Sequence, residues 1–216
     1  AACGGTYYGP EENLETVISG IAIDSRKIET NWLFAATVGE RVDGHSFIES
    51  CYEKGALCCL GEKEYAYDGH SYIQVASTFQ ALKDIAEYYR STLGIPVVGI
   101  TGSVGKTSTK EMIASVLGVK FNTLKTAGNF NNEVGLPLTV FNIREDHEAA
   151  VLEMGISDFG EMHRLSKVAR PNICVITNIG FCHLEFLGDR DGVLRAKSEI
   201  FDFAAEKFKE FLSNMK

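Results

Sequence analysis

Apolar and polar positions along the chain fall into short continuous runs separated by stretches of helical period. Apolar runs bounded by turn residues at 18–24, 32–36, 56–60 and 71–75 predict strands. Between them, residues 45–55 repeat apolar positions at helical spacing (Phe47, Ile48, Cys51, Tyr52) before the stop signal Gly55. A second helix opens at Ser77-Thr78, with an apolar face of Phe79, Leu82, Ile85, Ala86 and Tyr89, and ends near Gly94. Ile95-Pro96 closes that helix and immediately precedes the apolar run Val97-Val98-Gly99-Ile100, which places a domain boundary there. Beyond it, strands at Val97–Thr101, 150–154 and 173–177 alternate with helices at Lys106–Leu117, 136–141, 159–169 and 192–201. Near-continuous apolar strands separated by helices imply a parallel sheet covered on both faces. The expectation is therefore α/β throughout. A small N-terminal α/β unit spans 1–94, a P-loop-type parallel-sheet unit spans 95–202, and an amphipathic tail helix spans 203–216.

Composition narrows the function classes. The chain has 216 residues, 45% hydrophobic and 23% charged, which is ordinary for a globular protein. No apolar run reaches the roughly eighteen residues needed to cross a bilayer, and the opening Ala1-Ala2-Cys3-Gly4-Gly5-Thr6 has neither a basic nor an apolar leader region. The expectation is a cytoplasmic protein with no membrane insertion. A net charge of −8 without any cluster of Lys and Arg argues against general affinity for nucleic acid. An anionic ligand must then be met by local groups. The six cysteines form no C-x-x-C pair, and Cys58-Cys59 lie in a strand-like run, so they read as buried, reduced thiols.

The most specific signal is Gly99-Ile100-Thr101-Gly102-Ser103-Val104-Gly105-Lys106-Thr107-Ser108, which follows an apolar strand and opens a helix. The strict pattern G-x-x-x-x-G-K-S/T is missed by one residue, because Ile100 stands where the first glycine should be. The physical parts are nonetheless present. Gly102 and Gly105 allow tight turns that bring N–H groups toward a phosphate in a nucleotide-binding loop that includes Ser103 and Val104, and the helix N-terminus adds a favourable dipole. Lys106 would reach the β- and γ-phosphates of ATP, while Thr107, followed by Ser108, would offer a hydroxyl to Mg²⁺.

Downstream, residues 126–139 gather Asn129, Asn131, Asn132, two glycines and Pro137 just before a helix, which taken alone is a loop and an N-cap. Glu153 ends an apolar strand, where open α/β sheets hold their ligands. It is a Mg²⁺ ligand, a water-positioning base or a helix cap. His183, after the strand ending Thr177-Asn178-Ile179-Gly180, is either structural or functional.

Together these segments resemble the Mur ligases. The resemblance runs from about residue 14 to residue 202, and its motifs keep order and spacing. It is carried by T-G-S-V-G-K-T-S, A-G-N-F-N-N-E-V-G-L-P-L-T, L-E-M-G, the block A-R-P-N-I-C-V-I-T-N-I-G with H-L-E after it, and A-K-S-E-I-F. In the first unit, Asp24-Ser25-Arg26 and the segment from Gly39 to Phe47 resemble the family's domain for the UDP end of the substrate. The Asn-rich segment and L-E-M-G point to the branch that joins D-Ala-D-Ala to UDP-N-acetylmuramoyl-tripeptide.

The resemblance implies ATP-driven peptide bond formation. The γ-phosphoryl passes to the tripeptide carboxylate, the dipeptide amine attacks the resulting acyl phosphate, and phosphate leaves. It implies that Lys106 binds phosphate, that Asn131 and Asn132 belong to the nucleotide side, and that Thr107 and Glu153 hold one Mg²⁺. His183 and Lys197 would serve a second. Lys197 matches a position at which family members carry a carbamate, although a plain lysine there could hold phosphate directly. Ser25, Arg26, Arg41, Asp43 and His45 would bind the UDP substrate. The family ordinarily has three domains and about twice this length, so the central domain is expected to be incomplete and the chain by itself inactive in ligation. Two other readings stand beside this one: a P-loop kinase or NTPase, and a non-catalytic binder of UDP-sugar or nucleotide.

Overall fold

A computed structural model of the chain describes residues 2–66 and 69–204. The chain forms two compact units, Ala1–Ile85 and Ala86–Lys216. The first contains β1 (Thr6–Tyr8), β2 (Gly20–Ala22), β3 (Trp32–Ala35), α1 (Ile48–Glu53), β4 (Cys58–Gly61), β5 (Ser71–Gln74) and the start of α2 (Thr78–Thr92). Its sheet runs β1-β5-β4-β3-β2, with β2 to β5 parallel and β1 antiparallel against β5. Phe34, Cys59 and Tyr72 from the sheet pack with Ile48, Cys51 and Tyr52 from α1. Burial pushes the Cys58 thiol up to about 12 and the Cys51 thiol to about 11, so both behave as small apolar groups.

The predicted strands and helix of this unit are present, but β1 has no counterpart in the hydrophobic pattern. Three residues are too short to show a period, and tertiary bonds hold the strand. Tyr7 donates its hydroxyl to the Pro10 carbonyl at 2.7 Å and lies 2.9 Å from Ser71 Oγ.

The second unit contains β6 (Val97–Thr101), α3 (Lys106–Leu117), β7 (Thr123–Lys125), α4 (Gly135–Val140), β8 (Ala149–Glu153), α5 (Glu161–Ala169), β9 (Ile173–Ile176), α6 (Leu184–Leu187) and α7 (Arg190–Ser198). Its four strands are all parallel in the order β7-β8-β6-β9. The central pair β6 and β8 is buried along its whole length, which is why both read as unbroken apolar runs. The edge strand β7, Thr-Leu-Lys, is half exposed and carries no such run, so the sequence pattern misses it. One face of β6 packs on Ala114, Ile113 and Leu117 of α3.

The helix expected at 192–201 starts earlier, because Asp189 caps α7 by accepting from Gly192 N at 2.8 Å, and it ends in a tight turn at Glu199–Phe201. Beyond residue 204, the expected tail helix lies outside the described residues.

The division between the units falls inside α2, not at Ile95-Pro96. The last turns of that helix are tied into the second unit. Buried Arg90 donates to the carbonyls of Ala169 (2.9 Å) and Leu93 (2.9 Å), and the Tyr89 hydroxyl donates to that of Ile143 at 2.6 Å. Register aligns Ile100 with Glu153 across β6 and β8, and Thr101 with Ile176 across β6 and β9. The carboxyl ends of three strands therefore converge where α3 begins.

Candidate functional site

The loop between β6 and α3 is shaped by two glycines in the left-handed region. Gly102 has φ 147°, and a Cβ there would lie 1.9 Å from Thr177 Oγ1. Gly105, with φ 82°, immediately precedes α3. The segment after β9 holds the loop in place. Ser103 N donates to Asn178 O at 3.1 Å, Val104 N to Asn178 Oδ1 at 3.0 Å, and Thr177 Oγ1 to Val104 O at 2.6 Å. No side chain caps α3. Because the first bond into the helix is Thr109 N to Gly105 O, the N–H groups of Lys106, Thr107 and Ser108 precede it and are free of intrahelical partners. Ile100, which breaks the strict motif, is still inside β6 and fully buried. The turn begins two residues later, so a glycine there is not required. Lys106 Nζ folds back to donate to Gly102 O at 2.8 Å.

Beneath this loop buried Glu153 gathers groups from three segments, two of them on its carboxylate. Thr107 Oγ1 donates to Oε2 at 3.0 Å and Asn131 Nδ2 donates to Oε1 at 2.8 Å. Its backbone N–H donates to Thr126 Oγ1 at 2.9 Å. Of the three roles open to Glu153, helix capping is therefore not the one its carboxylate serves. Asn131 and Asn132 part company: the Asn132 carboxamide oxygen accepts from Gly135 N (2.8 Å) and Val134 N (3.2 Å), leading into α4.

Lys110 and Thr126 also belong to this site, although the sequence pattern gives neither a role in it. Lys110 Nζ donates to Thr126 O at 2.8 Å and lies 3.6 Å from Glu153 Oε2. The signal was a charge at 110 on a helix face otherwise made by Ile113, Ala114 and Leu117.

His183 sits at φ 52° at the head of α6, exposed, and its ring has no hydrogen-bond partner among the described residues. Lys197 is buried in α7. Burial holds its ammonium below the ordinary lysine range; nearby Cys182 acts in the opposite sense and Lys106 reinforces the shift. Lys197, Lys106 and Cys182 are thus electrostatic neighbours, and Cys182 Sγ lies 3.1 Å from Ser103 Oγ of the loop. Among the described residues no cluster of three or more His, Cys, Asp or Glu could hold a metal. The Thr107 hydroxyl and Glu153 carboxylate are hard oxygen donors, the set that suits Mg²⁺ shared with phosphate and water. At Gly102 the place a Cβ would need is taken by the Thr177 hydroxyl, so only glycine lets the loop close against the segment after β9.

The first-unit candidates are arranged differently. Asp24 accepts from Arg26 N at 3.0 Å and from its guanidinium at 2.9 and 2.8 Å, which holds the Asp24 carboxyl down at about 2. The Ser25 carbonyl accepts from Lys54 Nζ at 2.7 Å. Asp43 accepts from His45 N at 3.0 Å and from His45 Nδ1 at 2.6 Å, and Lys63 also pairs with it. These bonds, the Lys63 one first, hold the Asp43 carboxyl well below the usual range. His45 Nε2 in turn accepts from Glu62 N at 2.9 Å, which places the ring proton on Nδ1. A Cβ on Gly44 would lie 2.7 Å from Thr37 O. Asp43, Gly44 and His45 therefore close a turn onto the end of β4. Arg41 is exposed at its tip, with no bonded partner among the described residues.

Comparison with known proteins bears on both units. The Mur ligase middle domain profile matches residues 100–213, and the profile described as Mur ligase family, catalytic domain, matches residues 17–102. The UDP-N-acetylmuramoyl-tripeptide--D-alanyl-D-alanine ligase of Bacillus subtilis (strain 168) is 47% identical over 200 residues, which cover 92% of this chain and 44% of that protein. A crystal structure of MurF from Acinetobacter baumannii superposes with a TM-score of 0.85 at 36% identity, covering 94% of this chain and 45% of that one. The MurF ligase of Thermotoga maritima in complex with ADP gives 0.80 at 35% identity, covering 88% and 44%. The chain thus spans under half the length of the relatives it matches. Since the middle-domain match alone takes in more than half of its residues, the chain belongs to the Mur ligase family.

Proposed function

We propose that this chain serves an ATP-dependent ligase of peptidoglycan precursor synthesis in the cytoplasm, one that adds D-Ala-D-Ala to UDP-N-acetylmuramoyl-tripeptide. The observation that carries the reading is the buried Glu153, held by Thr107 and Asn131 directly under a loop with free helix N–H groups. That is a place for a triphosphate and a hard cation side by side. Bound ATP with Mg²⁺ would supply the phosphoryl group that activates the tripeptide carboxylate as an acyl phosphate for attack by the dipeptide amine.

The residues of this chain bind and orient. Gly102, Ser103, Val104, Gly105 and Ser108 form the cradle, and Lys106 leaves the Gly102 carbonyl to meet phosphate. Thr107 and Glu153 would hold Mg²⁺, and Asn131 fixes the carboxylate's orientation. His183 and Lys197 would serve a second cation. Burial raises the neutral fraction of the Lys197 amine, the form that adds carbon dioxide to give a carbamate with oxygen ligands. The first unit would hold the UDP substrate, with Arg26 and Arg41 facing it. The second unit would hold the nucleotide.

Calorimetric titration of the chain with ATP plus Mg²⁺, and separately with UDP-N-acetylmuramoyl-tripeptide, tests this. Binding of both is expected. In a family-length chain carrying these residues, phosphate release should require the tripeptide and D-Ala-D-Ala together. Hydrolysis indifferent to both would assign a P-loop NTPase instead.

A further inference from the structure

Lys110 and Lys197 are the only fully buried lysines among the described residues, and the reading above gives Lys110 no role. It lies one helical turn beyond Thr107. Long side chains on a helix lean toward its N-terminus, so Lys110 reaches back under the loop toward the residues Thr107 touches. Its ammonium donates to Thr126 O at 2.8 Å and stands 3.6 Å from Glu153 Oε2, with exposed Glu111 Oε1 at 3.4 Å. Thr126 is the other half of the joint, because its hydroxyl accepts from Glu153 N. One lysine thus grips both the backbone that seats Glu153 and, through charge, the carboxylate itself. Burying an ammonium is costly unless it is compensated, and here the buried carboxylate assigned to the cation shares that compensation with the exposed Glu111.

We infer that Lys110 is a positioning residue that neutralises Glu153 when no cation is bound, and so sets how strongly nucleotide binding depends on Mg²⁺. This rests on the nucleotide-binding reading of the loop. The sign follows from the charges. With Lys110 present, an incoming triphosphate without metal meets a carboxylate already balanced, and an incoming Mg²⁺ meets a nearby positive charge. Without Lys110, the bare carboxylate repels the metal-free triphosphate and holds Mg²⁺ more tightly. The ratio of ATP dissociation constants without and with Mg²⁺ should therefore rise.

The test is calorimetric titration of the 216-residue chain with ATP, in Mg²⁺ and in EDTA, for wild type, Lys110→Gln, Lys110→Met and Lys110→Arg. Lys110→Gln can still donate to Thr126 O while lacking the charge, so it separates the ion pair from the hydrogen bond. The expected result is a ratio raised about fivefold or more in Lys110→Gln and Lys110→Met, and near wild type in Lys110→Arg. A melting-point shift on adding Mg²⁺ alone, larger in Lys110→Gln than in wild type, gives a second readout for variants of lowered stability. If wild type binds ATP and the ratio is unchanged in Lys110→Gln, Lys110 is merely structural and the inference is overturned. If wild type binds no ATP under either condition, the loop reading fails and takes this inference with it.

Discussion

The turn from Gly39 to Phe47 and the loop from Gly102 to Ser108 look alike as sequence: each mixes glycines, a basic residue and hydroxyl or carboxylate groups. In the fold they differ in where their polar atoms go. Asp43 and His45 spend theirs on each other, on Lys63 and on the end of β4, so that stretch is a clasp with Arg41 left outside. In the loop, the neighbours after β9 bind only the backbone of Ser103 and Val104 and the Ser103 hydroxyl, while the first-turn N–H groups of α3 stay unbonded. Donors without internal partners mark recognition, and donors that close a network mark scaffolding. By that measure, Arg41 is the recognition candidate of its segment, and Asp43 and His45 are its scaffold.

The sharpest way to break the comparison is Gly102→Val. Left-handed backbone and a neighbour 1.9 Å from the new Cβ should abolish measurable ATP binding and cost about 2–4 kcal/mol of stability, read by calorimetry and urea unfolding. Lys106→Ala should reduce ATP affinity by roughly tenfold to a hundredfold, the range of a lost charge-assisted bond, with melting nearly unchanged. Wild-type affinity in that variant would remove the loop from the recognition class.

On the other side, His45→Ala should cost about 1–3 kcal/mol in stability, because Glu62 N and Asp43 lose their partner, while ATP affinity holds. Arg41→Ala should do the reverse of a clasp mutation. Stability stays within about 0.5 kcal/mol of wild type and affinity for UDP-N-acetylmuramoyl-tripeptide falls. An equal fall for ATP would defeat the division of labour between the units.

The smallest expected effect is a pH step. Asp24 is held at about 2 against an ordinary 3.8, so its contribution is fully present above about pH 4 and is lost as pH falls toward 2. The pair with Arg26 is exposed, so the step should be shallow, should shrink in high salt, and should vanish in Asp24→Asn.

The sequence by itself determined the local pieces: the apolar runs of β6 and β8, the amphipathic α2 and α5, and the glycine, lysine and hydroxyl spacing of the loop. These follow from periods of two and 3.6 and from backbone angles, which a few neighbouring residues settle. The tertiary structure alone decided strand order, the antiparallel β1 and the short edge strand β7, none of which leaves a periodic trace. It also decided which polar atoms meet. Thr107 and Glu153 are 46 residues apart, Asn131 and Glu153 are 22 apart, and Lys110 finds Thr126 only because α3 lies over the ends of β7 and β8. Hydrogen-bond partnership is set by which strand ends the fold aligns, and the parallel register beside β6 places Glu153 under the loop.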